Sequence, residues 1–398
     1  MIIEDLRYRI VFDSRGKETV ECEVESGEFV AIASAPSGAS TGKHEAIVVS
    51  PKKLEEVEEK VSKALIGLSV FDQVAVDETL REVDGTENFA NIGANFAVSA
   101  SIAVAKCASL MLGIPLCTYL GGAFAKELPY PLGNVIGGGK HAEGSTSIQE
   151  FLVIPVGAKS FLDAQRTNAE VHREIGNLLR SKGIFAAKGD EGAWAAKIGD
   201  DLAFEILTNA IEKVEKESGV KIRIGVDFAS SELWNGERYV YKERELDKGE
   251  QIRFVSELVE KYDILYVEDP LHEEDFEGFA ELTKSVDCMV CGDDIFVTNW
   301  KRVEKAVEMK AGNTLLVKPN QVGTLTDTFK AVNIAKKGGF DIVLSHRSGE
   351  TEDNYLAHLA VAFNAKLIKT GVVGGERIAK LNEMIRIEEL LDARMVRI

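Results

Sequence analysis

Two rhythms of apolar and polar positions divide the chain. Near the start, Val20, Cys22 and Val24 alternate with Glu21, Glu23 and Glu25, the two-residue period of a strand with one buried face. Ser26-Gly27 supplies a turn before Phe29 to Ala33, so residues 7–34 read as antiparallel strands. Helical patterns follow over Lys53 to Leu68, near Val74 to Val83, and through the alanine-rich stretch Ile92 to Ile114. That last stretch is the most apolar of the chain. Asn95, Ser99, Ser101 and Lys106 interrupt it and Gly113-Ile114-Pro115 ends it, which suits a buried helix better than a membrane span. Strands followed by helices predict an α+β unit ending near Gly121-Gly122.

The second rhythm is a recurrence of short apolar runs: IRIGVD, ILYVED, CMVCGDD, LLVKPN, DIVLSH and LIKTG. Amphipathic helical patterns lie between most of them, such as Ile252, Val255, Leu258 and Val259. Reactive residues stand at the ends of the runs: Asp227, Glu268, Asp293, Lys318, His346 and Lys369, separated by 41, 25, 25, 28 and 23 positions. About 25 residues is one strand, one helix and two loops. The longest gap also holds a hairpin signal at Asn235-Gly236. The repetition predicts a parallel sheet closed into an α/β barrel over residues 126–398, behind a smaller α+β domain over 1–125. Catalytic groups of such barrels sit at the C-terminal ends of the strands. Helix capping accounts for one or two of the acids, but not for Lys318 and Lys369.

Composition narrows the functions. With 45% hydrophobic and 28% charged residues, the 398-residue chain is globular in character. Lys and Arg total 47 against 65 Asp and Glu, a net charge of −18. Such a surface repels phosphate backbones and anionic lipid, so neither nucleic acid nor membrane is expected as a partner. The five cysteines are few and odd in number, and the opening MIIEDLRYRI lacks an apolar signal core. Both point to a reducing, cytoplasmic setting. Cys288 and Cys291 form a C-x-x-C inside an apolar run, which reads as buried thiols rather than a redox or zinc pair.

Converging at a barrel mouth, Asp227, Glu268 and Asp293 repel one another unless a cation neutralises them. Oxygen-only donors suit a hard ion, Mg²⁺ before Ca²⁺ or Mn²⁺. Lys318 is too basic when free to take a proton at neutral pH; metal charge and Lys369 nearby favour its neutral form. A neutral lysine beside Mg²⁺ suits proton abstraction α to a carboxylate. Glu191, in GDEGAWAA, and Glu150, in STSIQEF, are candidates to protonate a departing hydroxide; either alone also reads as a solvated acid. Ser345-His346-Arg347-Ser348-Gly349 offers a guanidinium fork, hydroxyls and backbone N–H groups for a phosphate, and a salt bridge to one of the many acids is the plainer use of Arg347. Gly38 to Lys43 resembles a P-loop but is one residue short between its glycines, with His44 where Ser or Thr is required. Gly137 to Ala142 fits G-x-G-x-x-A, yet EGSTSIQEF after it does not read as a helix. Both are read as loops able to close over a site.

Taken together, FDSRG, PSGASTG, GGKHA, QEF, GDEG, VEDP, GDDIFVTN, LLVKPNQVGT, SHRSGETED, IKTG and ERIAKLNEMIRIEE, in this order and nearly end to end, resemble the enolase family. The resemblance implies a small N-terminal α+β domain and an enolase-type TIM-like barrel with an irregular start. It implies interconversion of 2-phosphoglycerate with phosphoenolpyruvate and water. Two Mg²⁺ sites are implied, with Asp227, Glu268 and Asp293 as ligands of the first and Ser40 of the second. Lys318 matches the base at C2 and Glu191 the acid at C3. Lys369 matches a carboxylate contact, and Arg347 with Ser348 the phosphate contacts. His141 and Glu150 match the closing loop and acid network, and Ser345 and His346 accompany them at the substrate. A homodimer or homo-octamer is implied, with Arg15 in a segment similar to the family's subunit contact.

Departures accompany the match. The chain is short for the family, Lys17-Glu18 replace Asn-Pro, and Gly137 replaces an Asn. Ala193-Trp194-Ala195-Ala196 follows GDEG, and Val372-Val373-Gly374-Gly375 lacks an Arg-Ser pair. None removes a reactive group. Trp194, three residues after Glu191, is expected to narrow the pocket or shift that acid, and the Gly137 change to loosen the loop carrying His141. On that ground a related α-proton abstraction on another hydroxy or phospho acid stands as an alternative, with a non-catalytic protein of the same fold a third.

Overall fold

The computed structural model describes residues 1–38, 41–142 and 144–398. Three antiparallel strands, β1 (Asp5–Phe12), β2 (Glu18–Ser26) and β3 (Phe29–Ser34), form the N-terminal sheet in that order. Val20, Cys22 and Val24 are fully buried beneath the helices, as their alternation requires. Helices α1 (Leu54–Leu65), α2 (Gln73–Asp84) and α3 (Ala94–Leu112) cover the sheet. α3 is long and apolar enough to cross a membrane, but it is buried along most of its length against β2 and β3. Ser99 Oγ donates to Asn95 O and Phe96 O, which satisfies a hydroxyl in an otherwise apolar setting.

Eight further strands close a barrel: β4 (Tyr130–Gly137), β5 (Glu150–Ile154), β6 (Arg223–Asp227), β7 (Ile264–Glu268), β8 (Met289–Gly292), β9 (Thr314–Val317), β10 (Asp341–Ser345) and β11 (Leu367–Lys369). β11 pairs with β4 in parallel, so no edge is left in the barrel itself. β5 alone runs antiparallel to both of its neighbours. This is the irregular start. Helices α4 (Phe161–Ser181), α5 (Asp200–Ser218), α6 (Lys248–Tyr262), α7 (Phe276–Ser285), α8 (Trp300–Met309), α9 (Leu325–Lys337), α10 (Tyr355–Ala362) and α11 (Gly375–Leu391) wrap it. A hairpin, Ala186–Lys188 with Trp194–Ala196, hangs on the rim through an Ile136–Trp194 pairing. All five cysteines are free and buried. Burial pushes the Cys288 thiol up to about 12, which agrees with inert core thiols.

Candidate active site

Register brings the acids together. Glu150 pairs with Asp227 across β5 and β6, and Asp227 pairs with Glu268 across β6 and β7. Three carboxylates therefore stand side by side at one end of the barrel. Ser345 pairs with Lys369 across β10 and β11, and Lys369 reaches back over the mouth. Its Nζ lies 2.9 Å from Glu150 Oε2, 3.1 Å from Asp227 Oδ2 and 2.8 Å from each oxygen of Glu268. Burial opposes the charge on Lys369, but Asp227, Glu150 and Glu268 outweigh it and hold its pKa well above the ordinary value. Glu268 is pushed up by burial and by Asp227, with Lys369 opposing. Tyr266 Oη donates to Glu268 Oε2 at 2.6 Å.

Lys318 and Asp293 form the second cluster, in direct contact through Nζ and Oδ2. Gln321 Nε2 donates to Asp293 Oδ1 at 2.9 Å. Burial pulls the Lys318 pKa down, yet Asp293 prevails and the net direction is up. The discharged Lys318 expected from Lys369 and metal charge is therefore not produced by the protein groups alone, because a carboxylate touches the ammonium.

One cleft gathers Glu150, Glu191, Asp227, Glu268, Asp293, Lys318, Ser345, His346, Arg347, Ser348 and Lys369. Its empty space, open solvent included, is about 490 Å³. Ser40 and the side chain of His141 lie outside the described residues. Glu191 sits at the tip of the rim hairpin, buried, with Asn134 Nδ2 and His346 Nε2 each 3.2 Å from its Oε2. Burial drives the His346 pKa down to about 4, so the ring is neutral at physiological pH.

The plainer use of Arg347 is also present. Its guanidinium makes two bonds to Glu45 of the N-terminal domain, 2.9 Å from Nη1 to Oε2 and 3.1 Å from Nη2 to Oε1. Ser37 and Gly349 exchange backbone hydrogen bonds, both 2.8 Å, across the same boundary. A Cβ at Gly349 would lie 2.4 Å from Ser37 Oγ and Asp13 Oδ2, so only glycine admits this approach. Arg15 is turned into the chain here, 3.0 Å from Ser37 Oγ and 3.3 Å from Ser348 Oγ.

Trp194 does not enter the cleft. Its indole packs over Gly176 of α4, where a Cβ would come within 2.5 Å of the ring. It stacks on His172 and donates to His172 O at 2.7 Å. Burial lowers the His172 pKa to about 4, and the neutral ring's Nε2 lies 2.9 Å from Gly192 O. The expected narrowing is thus corrected. The side chain that follows the acid anchors the hairpin to α4 from behind.

Sequence reasoning overlooked several groups. Asp269, adjacent to Glu268 in VEDP, accepts the backbone N–H groups of Asp293 and Asp294 at 2.9 Å each. Asp269, Asp293 and Asp294 offer oxygens within 4.8 Å of one another. Because both Asp269 oxygens serve backbone donors, Asp269 orients the turn, and Asp293 remains the one of the three aimed at Lys318. Arg377, the most bulky fully buried side chain, had no signal, since an arginine in the first turn of a helix reads as solvated.

The donor set passes a chemical test for a hard divalent ion. Asp227, Glu268 and Asp293 supply only oxygens; Glu268 is pushed up first by burial and then by the negative charge of Asp227, Asp293 and Glu150, a crowding that a cation would relieve.

Comparison with known proteins agrees with this architecture. Residues 3–120 match the family model for the N-terminal domain of enolase, and residues 125–396 that for its C-terminal TIM barrel domain. The chain belongs to the enolase family. It is 70% identical over 399 residues to "Enolase" of Archaeoglobus fulgidus, covering all of both chains. It is 51% identical to "Enolase" of Methanocorpusculum labreanum, over 97% of this chain and 99% of that one. For "Enolase" of Methanothermobacter thermautotrophicus the identity is 50%, over 98% and 96%. These enolases match over nearly their whole lengths, so the short chain is a feature shared with them.

Proposed function

We infer that the protein is a phosphopyruvate hydratase, interconverting 2-phosphoglycerate with phosphoenolpyruvate and water. The observation that carries this reading is the meeting of Lys318, three strand-end acids, Lys369 and the Arg347-Ser348 pair in one cleft, on a chain of the enolase family. In the dehydration direction Lys318 Nζ takes the C2 proton. The electron pair left at C2 forms the C2–C3 double bond as the C3 hydroxyl departs with a proton from Glu191, giving water. Glu150, bonded to Lys369, supports that acid. Lys369 faces the substrate carboxylate, Arg347 with Ser348 faces the phosphate end, and Ser345 and His346 line the cleft beside them.

Asp227, Glu268 and Asp293 would hold one Mg²⁺, and Ser40 belongs to a second site, with His141 in the loop that closes over the substrate. When bound, Mg²⁺ would supply positive charge that offsets Asp293, which otherwise keeps Lys318 protonated, and that favours the negative charge left on the substrate as the C2 proton departs. An incoming phosphate competes with Glu45 for the Arg347 fork. The family resemblance supports a division near residue 125, a homodimer or homo-octamer, and a cytoplasmic setting.

The test is the ultraviolet absorbance of phosphoenolpyruvate formed from 2-phosphoglycerate with Mg²⁺, alongside deuterium uptake at C2 in D₂O. Folded protein with saturating Mg²⁺ that gives neither signal overturns the reading.

A further inference from the structure

Arg377 lies at the start of α11 and has no exposed surface. Nη1 contacts His346 Nδ1 at 2.9 Å and donates to Arg347 O at 2.7 Å. Nη2 donates to Ser348 O at 2.7 Å and to Asp190 O at 3.2 Å. Nε stands 3.2 Å from Glu376 Oε1. One guanidinium thus joins the end of β10 to the hairpin tip that carries Glu191. Gly371 and Gly374 admit it, since a Cβ at either would press within 3.4 Å of its aliphatic stem.

A guanidinium has donors only. His346 Nδ1 is therefore an acceptor, and the single proton of the neutral ring is on Nε2, beside Glu191 Oε2. Asn134 Nδ2 donates to the same oxygen.

We propose that Arg377 is a positioning residue for the elimination step, fixing the His346 Nε2–H tautomer against Glu191 and tying the acid's loop to the Arg347–Ser348 segment. The proposal rests on Glu191 as the acid. It predicts a split between the two halves of the reaction, because Lys318 lies in the other cluster, held against Asp293.

Arg377→Lys keeps the charge and loses the fork; Arg377→Gln loses both. In either variant, phosphoenolpyruvate formation should fall at least tenfold more than deuterium exchange at C2. Lys380 is a control on the same helix, equally buried and bonded to Thr351 O and Glu350. Lys380→Met should lower stability without splitting the two rates. Equal loss of both rates in a folded Arg377 variant, or loss of neither, overturns the proposal. A second arm needs no variant to fold. In wild-type protein labelled with ¹⁵N-histidine, the His346 resonances should show an unprotonated Nδ1 and a protonated Nε2 at pH 7. The reverse assignment overturns the proposal. If wild type makes no phosphoenolpyruvate, the reaction reading fails, while the tautomer measurement still decides the role of Arg377.

Discussion

At the scale of single residues, Lys369 is the keystone of charge in the cleft. Its ammonium faces Glu150, Asp227 and Glu268, all buried. Removing one partner of a buried ion pair costs about 3–5 kcal/mol, because the remaining charge is stranded. Lys369→Ala is expected to lose that much stability along with activity. Mg²⁺ should then raise the variant's unfolding midpoint by more than it raises the wild type's, since the ion takes over the neutralisation. Equal shifts in thermal unfolding would remove Asp227 and Glu268 from the ligand set. Lys369 was legible in the sequence, as were Asp227, Glu268, Asp293, Lys318 and His346, because each terminates an apolar run whose direction points its end to one rim. Glu45 and Arg377 were not. Their importance comes from what they touch across long chain separations, and nothing in their neighbours' periodicity encodes that.

At the scale of elements, the reversed β5 had a faint signature. Parallel neighbours need a crossover of a dozen or more residues, usually a helix, and residues 138–149 carry no helical period. The hairpin behind Glu191 shows the opposite case: its docking on α4 depends on Gly176, a residue that reads only as a weak helix former. Gly176→Ala drives a methyl into the Trp194 ring and is expected to cost about 1–3 kcal/mol. Its denaturation midpoint should fall, and Trp194→Leu in the same chain should restore part of it. A second element contact titrates. Asp77 on α2 accepts Thr326 N and Oγ1 near the start of α9, at 2.8 and 2.6 Å. Burial raises its pKa to about 6 from 3.8. The folded state then binds the proton more tightly than the unfolded chain between these values, so this group's contribution to stability grows as the pH falls from about 6 towards 4. In urea unfolding, wild type should gain on Asp77→Asn as the pH drops from 7 to 4.5. A gap independent of pH would show that Asp77 titrates normally.

At the scale of the whole molecule, the two domains share one working surface. The order of strands, helices and barrel units was readable from the alternation of periods, but the faces the domains turn to each other were not, because polar pairs such as Glu45 with Arg347 look like ordinary surface charge. Gly349→Ala tests the seam. The added methyl collides with Ser37 and Asp13, and the expected result is a KM for 2-phosphoglycerate raised at least tenfold with a smaller change in kcat, measured by steady-state kinetics. An unaltered KM would separate the seam from substrate capture.

The pairings of Ser37 with Gly349 and of Glu45 with Arg347 bracket residues 38–44. Both ends of that span are thus moored to a single three-residue stretch of the barrel. A phosphate that takes the arginine's fork displaces Glu45 and leaves the Ser37 mooring in place, so seizing the anionic tail of a ligand and letting go of one end of the span become one mechanical event.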